Sequence, residues 1–206
     1  GAEEKNAVQS VLDSGWLTMG AVTKQFEEEF KAYTGAKHAL AVSNATVALH
    51  MACIALGIGP GDEVIVPSLT FVATANCVRY TGATPVFADI NSENDLTISL
   101  TSIQNLVSHR TKAIIVMHYG GYTCDMTGIL EWARSQHIPV IEDAAHAVGS
   151  FIDHKHLGTL GAAGCFSFFS NKNLSTGEGG MIVTEDDALA ERFKLLRSHG
   201  MTSLTW

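Results

Sequence analysis

The sequence has none of the common phosphate or nucleophile fingerprints. It contains no GxGxxG and no GxxxxGK[ST], so dinucleotide-binding and P-loop readings lack their glycine loops. No GxSxG elbow accompanies its serines, histidines and aspartates, which leaves a serine hydrolase unsupported. Cysteine is scarce: Cys53, Cys77, Cys124 and Cys165 are widely spaced and form no CxxC pair, as expected of reduced thiols in a cytoplasmic protein. No apolar run approaches the ~18 residues needed to span a bilayer. The first residues, GAEEKNAVQS, are polar and acidic, unlike a signal peptide. Positive charge is also short, with 13 Lys and Arg against 21 Asp and Glu, and the net charge of -8 argues against a general nucleic-acid binder.

What is present is a buried, globular composition. Apolar residues make up 46% and charged residues 17% of 206 positions. That suits one large α/β domain, which at this size buries roughly 70% of its unfolded surface. Apolar spacing predicts helices over residues 3–13, closed by Gly15, and over 23–33, with Val22, Phe26, Phe30 and Tyr33 on one face and Gly35 as the stop. Further helices are expected over 45–56, 71–80, 100–107, 129–135 and 186–197. Seven short apolar runs read as strands: 38–42, 64–66, 85–88, 113–117, 139–141, 165–169 and 181–184. Residues 91–95, 118–121 and 149–164 read as loops. Strands separated by helices predict an open, mostly parallel seven-stranded sheet with helices on both faces. The last two strands have no helix between them, so one of them is expected to run antiparallel.

The stretch Cys165–Thr184, CFSFFSNKNLSTGEGGMIVT, places one lysine, Lys172, on a polar turn between two apolar runs. Gly179 and Gly180 follow it and permit positive φ or a close backbone approach. A loop lysine is ordinarily solvated, but a buried one is a nucleophile and a Schiff-base former. Ser43-Asn44 supplies N-cap chemistry for the helix that begins with Ala45 and Thr46. That helix start reads either as an ordinary cap or as a phosphate site. Asp143 ends a strand, where it reads as partner to a protonated ring nitrogen, as a structural cap or as a metal ligand. His146, three residues on, reads either as a neighbour of the same ligand or as a histidine bonded to backbone. His154-Lys155-His156 has the look of a zinc pair, with no matching third ligand.

Four ordered blocks carry a resemblance: SNATVALHMACIALGIGPGDEVIVPSLTFVATANCV, IEDAAHAVGS, FSFFSNKNLSTGEGGM and RSHG. Together they resemble the pyridoxal-phosphate-dependent sugar aminotransferases of the DegT/DnrJ/EryC1/StrS family, over nearly the whole chain. The resemblance implies the aspartate-aminotransferase-like fold (fold type I) and pyridoxal 5'-phosphate as cofactor. It implies that Lys172 forms the Schiff base with the cofactor aldehyde and then serves as general base. Asp143 would pair with the pyridine nitrogen, His146 would lie near the phenolic oxygen and Phe71 would stack on the ring. Ala45, Thr46 and Ser167 would hold the phosphate. The family motif usually written SNGT reads Ser43-Asn44-Ala45-Thr46 here, which leaves the N–H donors in place.

The implied function is transfer of an amino group from glutamate to a nucleotide-linked keto sugar, in amino-sugar biosynthesis for surface polysaccharide or a secondary metabolite, by a cytoplasmic homodimer. On this reading residues 1–35 form an N-terminal helical segment and 36–206 the cofactor-binding large domain. The smaller C-terminal domain of the family lies outside the chain. Competing readings are a pyridoxal-phosphate-dependent sugar dehydratase, in which histidine replaces the lysine, a cofactor-binding regulatory domain, and a nucleotide-binding module without the cofactor. The glycine-bounded segment 15–20, with Trp16, Leu17 and Met19, is expected either to fold back on its own domain or to sit near the cofactor mouth and the dimer interface.

Overall fold

A computed structural model describes residues 1–202 of the chain. Two helices open it, α1 (Ala2–Ser14) and α2 (Ala21–Thr34), each ended by a glycine in the left-handed conformation, Gly15 and Gly35. Then come β1 (His38–Val42), α3 (Ala45–Ala55), β2 (Glu63–Pro67), α4 (Val72–Tyr80) and β3 (Thr84–Ala88). A short hairpin, β4 (Ile90–Ser92) and β5 (Asp95–Ile98), leads to α5 (Leu100–Leu106), β6 (Thr111–Met117), α6 (Met126–Ser135) and β7 (Val140–Asp143). A second hairpin, β8 (Phe151–Ile152) and β9 (Lys155–His156), precedes β10 (Ala163–Ser167), β11 (Gly180–Thr184) and α7 (Asp187–Arg197).

Seven strands form the main sheet in the order β1-β11-β10-β7-β6-β2-β3. The antiparallel member is β11, which opposes both β1 and β10, and the pairings from β10 to β3 are parallel. Successive strand residues serve opposite faces. Val64 and Val66 of β2 join Ile115, Ile141 and Ile182 under α3 and α4, whereas Ile65 joins Ile114 and Val116 under α5 and α6. Apolar residues on both faces explain why the strands read as unbroken hydrophobic runs rather than alternating ones. On the second face α2 docks through Phe26 and Phe30, whose rings meet Phe166 and Phe168 edge-on at 5.0–5.5 Å.

The structure departs from the sequence expectations in several places. Residues 91–95, expected to be a loop, lie within the β4–β5 hairpin. Polar side chains knit it, with Asn91 Nδ2 donating to Asp95 Oδ2 (3.0 Å) and Thr97 Oγ1 (3.1 Å), so no apolar alternation marks it. Residues 149–164 hold the β8–β9 hairpin, and residues 119–121 form a single 3-10 turn. Phe71 caps α4 rather than opening it. The His154-Lys155-His156 run, set aside from the sequence for want of a third ligand, is no departure: His156 is buried with both ring nitrogens committed to backbone. Nε2 accepts from Gly149 N (2.9 Å), and Nδ1 pairs with the Leu157 carbonyl (2.5 Å). Helix α1 forms as expected but buries none of its residues, and Val22 and Tyr33 of α2 are exposed. Segment 15–20 folds back locally, with Trp16 Nε1 donating to Met19 O (3.2 Å). Its residues line a groove between α1 and α2, not the cleft at the end of the sheet.

One buried ion pair ties the parallel strands to the loops beyond them. Glu142 and His118 are both fully buried, with Nε2 2.9 Å from Oε2. The same carboxylate accepts from the amides of Gly158 (2.7 Å), Leu160 (2.7 Å) and Gly161 (2.6 Å). Burial alone would lower the His118 pKa, but its contacts with Cys124 and the Glu142 carboxylate outweigh that and raise it to about 9. A histidine raised in this way stabilises the fold fully below its unfolded value near 6.5, and that contribution disappears as pH rises through about 9. The shift corresponds to roughly 3 kcal/mol. Urea unfolding of His118→Gln should therefore show a loss of that order at pH 6. The stability decline expected of the wild type between about pH 6.5 and 9.5 should be correspondingly flatter in the variant. An unchanged decline would place the titrating group elsewhere.

Candidate functional site

In a sheet of this kind a ligand site is expected beyond the carboxyl ends of the parallel strands. A cleft of about 540 Å3 occupies that position. Ala45 and Thr46 reach it from the start of α3, after β1. Leu69, Thr70 and Phe71 reach it from the connection after β2, Met117 and Tyr119 from the end of β6, and Asp143 and His146 from the end of β7. Ser167 ends β10, and Phe169 and Lys172 follow it. All seven residues singled out from the sequence (Ala45, Thr46, Phe71, Asp143, His146, Ser167 and Lys172) line this one cleft.

Asn44 caps α3, its Oδ1 accepting from Val47 N (2.9 Å), while its carbonyl takes Ala48 N (3.2 Å). Those bonds leave the amides of Ala45 and Thr46 as the donors of the first turn, where the helix dipole is positive. The approach of β11 to this turn requires glycine. A Cβ on Gly180 would sit 2.5 Å from the Asn44 carbonyl carbon and 2.8 Å from Ala45 N. Ser167, the last residue of β10, is nearly buried, and Phe71 at the mouth is exposed.

Asp143 is 2% exposed. Its Oδ2 accepts from Thr74 Oγ1 (2.7 Å), and its Oδ1 from Ala145 N (3.2 Å). Burial raises its pKa, against the hydrogen bonds from Thr74 and Ala145 and the fields of His146 and His118. His146 takes the Gly120 amide on Nδ1 (3.3 Å), which leaves Nε2 as the ring's N–H in the neutral form. Burial lowers the His146 pKa, and nearby Lys172 lowers it further. Burial likewise lowers the Lys172 pKa, with Asp143 acting in the opposite sense. A larger share of the amine is therefore neutral near pH 7, and free to act as nucleophile or proton acceptor, than in a solvated lysine.

This donor set fits a phosphorylated pyridine aldehyde. A buried carboxylate with few donors awaits a cation, a helix start offers two amides for a phosphate, a lysine of lowered pKa suits an aldehyde, and an aromatic face stands at the mouth. Thr74 was missed by the sequence reading. Its signal is the four-residue spacing of Thr70 and Thr74, which puts two hydroxyls on one side of the chain entering α4. Thr70, Tyr119, Asn171 and Glu178 also line the cleft without having been singled out.

A family model described as the DegT/DnrJ/EryC1/StrS aminotransferase family matches residues 1–206. Among curated proteins, the chain is 50% identical over 206 residues to the spore coat polysaccharide biosynthesis protein SpsC of Bacillus subtilis (strain 168), covering 100% of the chain and 53% of that protein. It is 50% identical over 199 residues to a GDP-perosamine synthase of Caulobacter vibrioides, covering 96% of the chain and 53% of the relative. Among solved structures, S. venezuelae DesV superimposes with a TM-score of 0.94 at 39% identity, over 100% of the chain and 55% of DesV. The chain thus spans about half the length of the curated relatives it matches. With the match running through every block that forms the cleft, the chain belongs to the DegT/DnrJ/EryC1/StrS aminotransferase family.

Proposed function

We propose that the protein is a pyridoxal-phosphate-dependent aminotransferase that moves an amino group from glutamate to a keto sugar carried on a nucleotide, working in the cytoplasm as a homodimer. The carrying observation is the convergence of Lys172, Asp143, His146, Phe71 and the α3 N-terminus on one cleft. The names of the relatives, a GDP-perosamine synthase and a spore coat polysaccharide biosynthesis protein, support a nucleotide-sugar substrate and a place in surface polysaccharide synthesis. We assign residues 36–206 to the cofactor-binding large domain and residues 1–35 to a helical segment beside it.

When bound, pyridoxal phosphate supplies an aldehyde that exchanges amines and a ring that takes up the electron pair left when a carbon–hydrogen bond is broken. The roles of the residues follow from their surroundings. The Asp143 carboxylate would hold the proton on the ring nitrogen, and strongly, because it is shielded from water. Lys172 would provide the amine for the aldehyde. In the neutral form that burial favours, its Nζ, once released by the incoming amino donor, would be the base that takes a proton from the donor's α-carbon and returns it two atoms away, across the nitrogen. His146, its ring steadied through Nδ1 by the Gly120 amide, would offer its Nε2 proton to the phenolic oxygen. Ala45, Thr46 and Ser167 would hold the phosphate, and Phe71 would stack on the ring.

Two substitutions test this reading. Incubating the chain with pyridoxal phosphate and then borohydride should leave a stable pyridoxyl label on Lys172. Lys172→Ala should lose the label, and the full-length variant should not transaminate. A label appearing on another lysine would overturn the assignment. Asp143→Asn keeps the shape and removes the charge. It should still bind cofactor but slow glutamate half-turnover of the full-length protein by at least about a hundredfold, equivalent to about 3 kcal/mol. Near-normal turnover would remove Asp143 from its role, and the four donors already on Glu142 make that neighbour an unsuitable replacement.

A further inference from the structure

Asp143 does not face the cleft unsupported. Thr74, in the first turn of α4, is fully buried, and its hydroxyl lies 2.7 Å from Asp143 Oδ2. Behind it, Thr70 Oγ1 lies 2.6 Å from Thr74 Oγ1 and 2.9 Å from the Met117 sulfur. Each hydroxyl owns a single hydrogen. Thr70 therefore chooses between an oxygen and a thioether, and the oxygen is the stronger acceptor. If Thr70 donates to Thr74, the one remaining hydrogen, that of Thr74, goes to Asp143. The chain of donors then runs in one direction, from the cleft wall through the helix to the carboxylate, and each link polarises the next.

We propose that Thr74 is the positioning residue of this site: with Thr70 behind it, its hydroxyl fixes the rotation of the Asp143 carboxylate and holds it in the charged form that a cationic ring nitrogen requires. Thr74 does not line the cleft and so acts only through Asp143. Burial pushes Asp143 toward its protonated form, and the Thr74 hydrogen bond is the largest influence opposing it. The other groups around the carboxylate are Lys172 and His146 in the cleft, His118 beyond β6, and the thiols of Cys165 on β10 and Cys77 on α4. All of them are left in place by changes at Thr74.

The inference rests on the role given to Asp143 above, and its test separates the two. In the apo chain, the carboxyl carbon of labelled Asp143 can be titrated by NMR without any cofactor. Thr74→Val keeps the shape and removes the hydrogen, so the Asp143 midpoint should rise by about one to two pH units, the worth of one hydrogen bond to a charged group. Thr74→Ser should restore the wild-type midpoint. Thr70→Val leaves Thr74's own hydrogen in place and should produce a smaller rise; should Thr74→Val fail to fold, Thr74→Ala takes its place in the titration. In the loaded protein, the 15N shift of ring-labelled pyridoxal phosphate should report a protonated ring nitrogen in the wild type and in Thr74→Ser, and loss of that proton in Thr74→Val at a lower pH than in the wild type. An apo midpoint unmoved by the valine variants overturns the positioning role, whatever the cofactor does. A moved midpoint with a ring nitrogen indifferent to every variant supports the relay and overturns the reading of Asp143 as the ring's partner.

Discussion

Strand β7 ends in two consecutive acids, and a strand sends consecutive side chains to opposite faces. Both are buried, and an ionised carboxylate withdrawn from water must be met by donors or lose its charge. The fold solves the problem differently on each face. Glu142 is met by an imidazole and three amides, and each of its oxygens is engaged twice. Asp143 is met by one hydroxyl and one amide, one to each oxygen. A carboxylate has room for about four donors. Glu142 is therefore saturated and acts as a strut, while Asp143 retains capacity that something in the cleft can use.

This inequality also explains which features the sequence revealed. The seven main strands and the helices between them follow from composition and period, because buried parallel strands are runs of Val and Ile and the helices carry their caps in Ser43-Asn44, Gly15 and Gly35. The cleft residues were readable for the same reason: each lies at a strand end or a helix start, positions that topology forces to one side of the sheet. The struts were not. His118 pairs with a residue 24 positions away, and the amides that complete Glu142 come from residues 158–161, a stretch with no periodicity. A strand-end Glu-Asp pair announces two charges without saying which one the fold satisfies internally. The β4–β5 hairpin escaped for a related reason, since its order comes from the Asn91, Asp95 and Thr97 side chains rather than from a hydrophobic pattern.

Close backbone approach is the second requirement. A Cβ on Gly164 would lie 1.8 Å from the Gly158 carbonyl oxygen, so β10 can enter the sheet beside the strut loop only as glycine. Gly180 plays the equivalent part at the other end of the antiparallel pair, where β11 passes the first turn of α3. One contact brings the loop held by Glu142 against the strand that leads to Lys172. The other brings the strand that follows the lysine turn against the helix start. The lysine turn is thus fixed at both ends by contacts that tolerate no side chain, although the turn itself is polar and exposed.

Within the cleft, desolvation and pairwise attraction pull against each other. Burial favours the neutral form of all three ionisable groups, raising Asp143 and lowering His146 and Lys172, while the attraction of Asp143 for the two bases favours their charged forms. On the proposed function this balance has a direction. A protonated ring nitrogen paired with Asp143 would serve as its counter-ion, which would relieve Lys172 of that duty and leave its amine to the desolvation that lowers its pKa. The carboxylate thus favours the cofactor's charge and the lysine's neutrality at once, a separation of roles between an acid and a base that share one cleft. The exposure of Phe71 at the mouth bears on its extent, because any surface that covers the mouth removes water and strengthens every charge interaction inside.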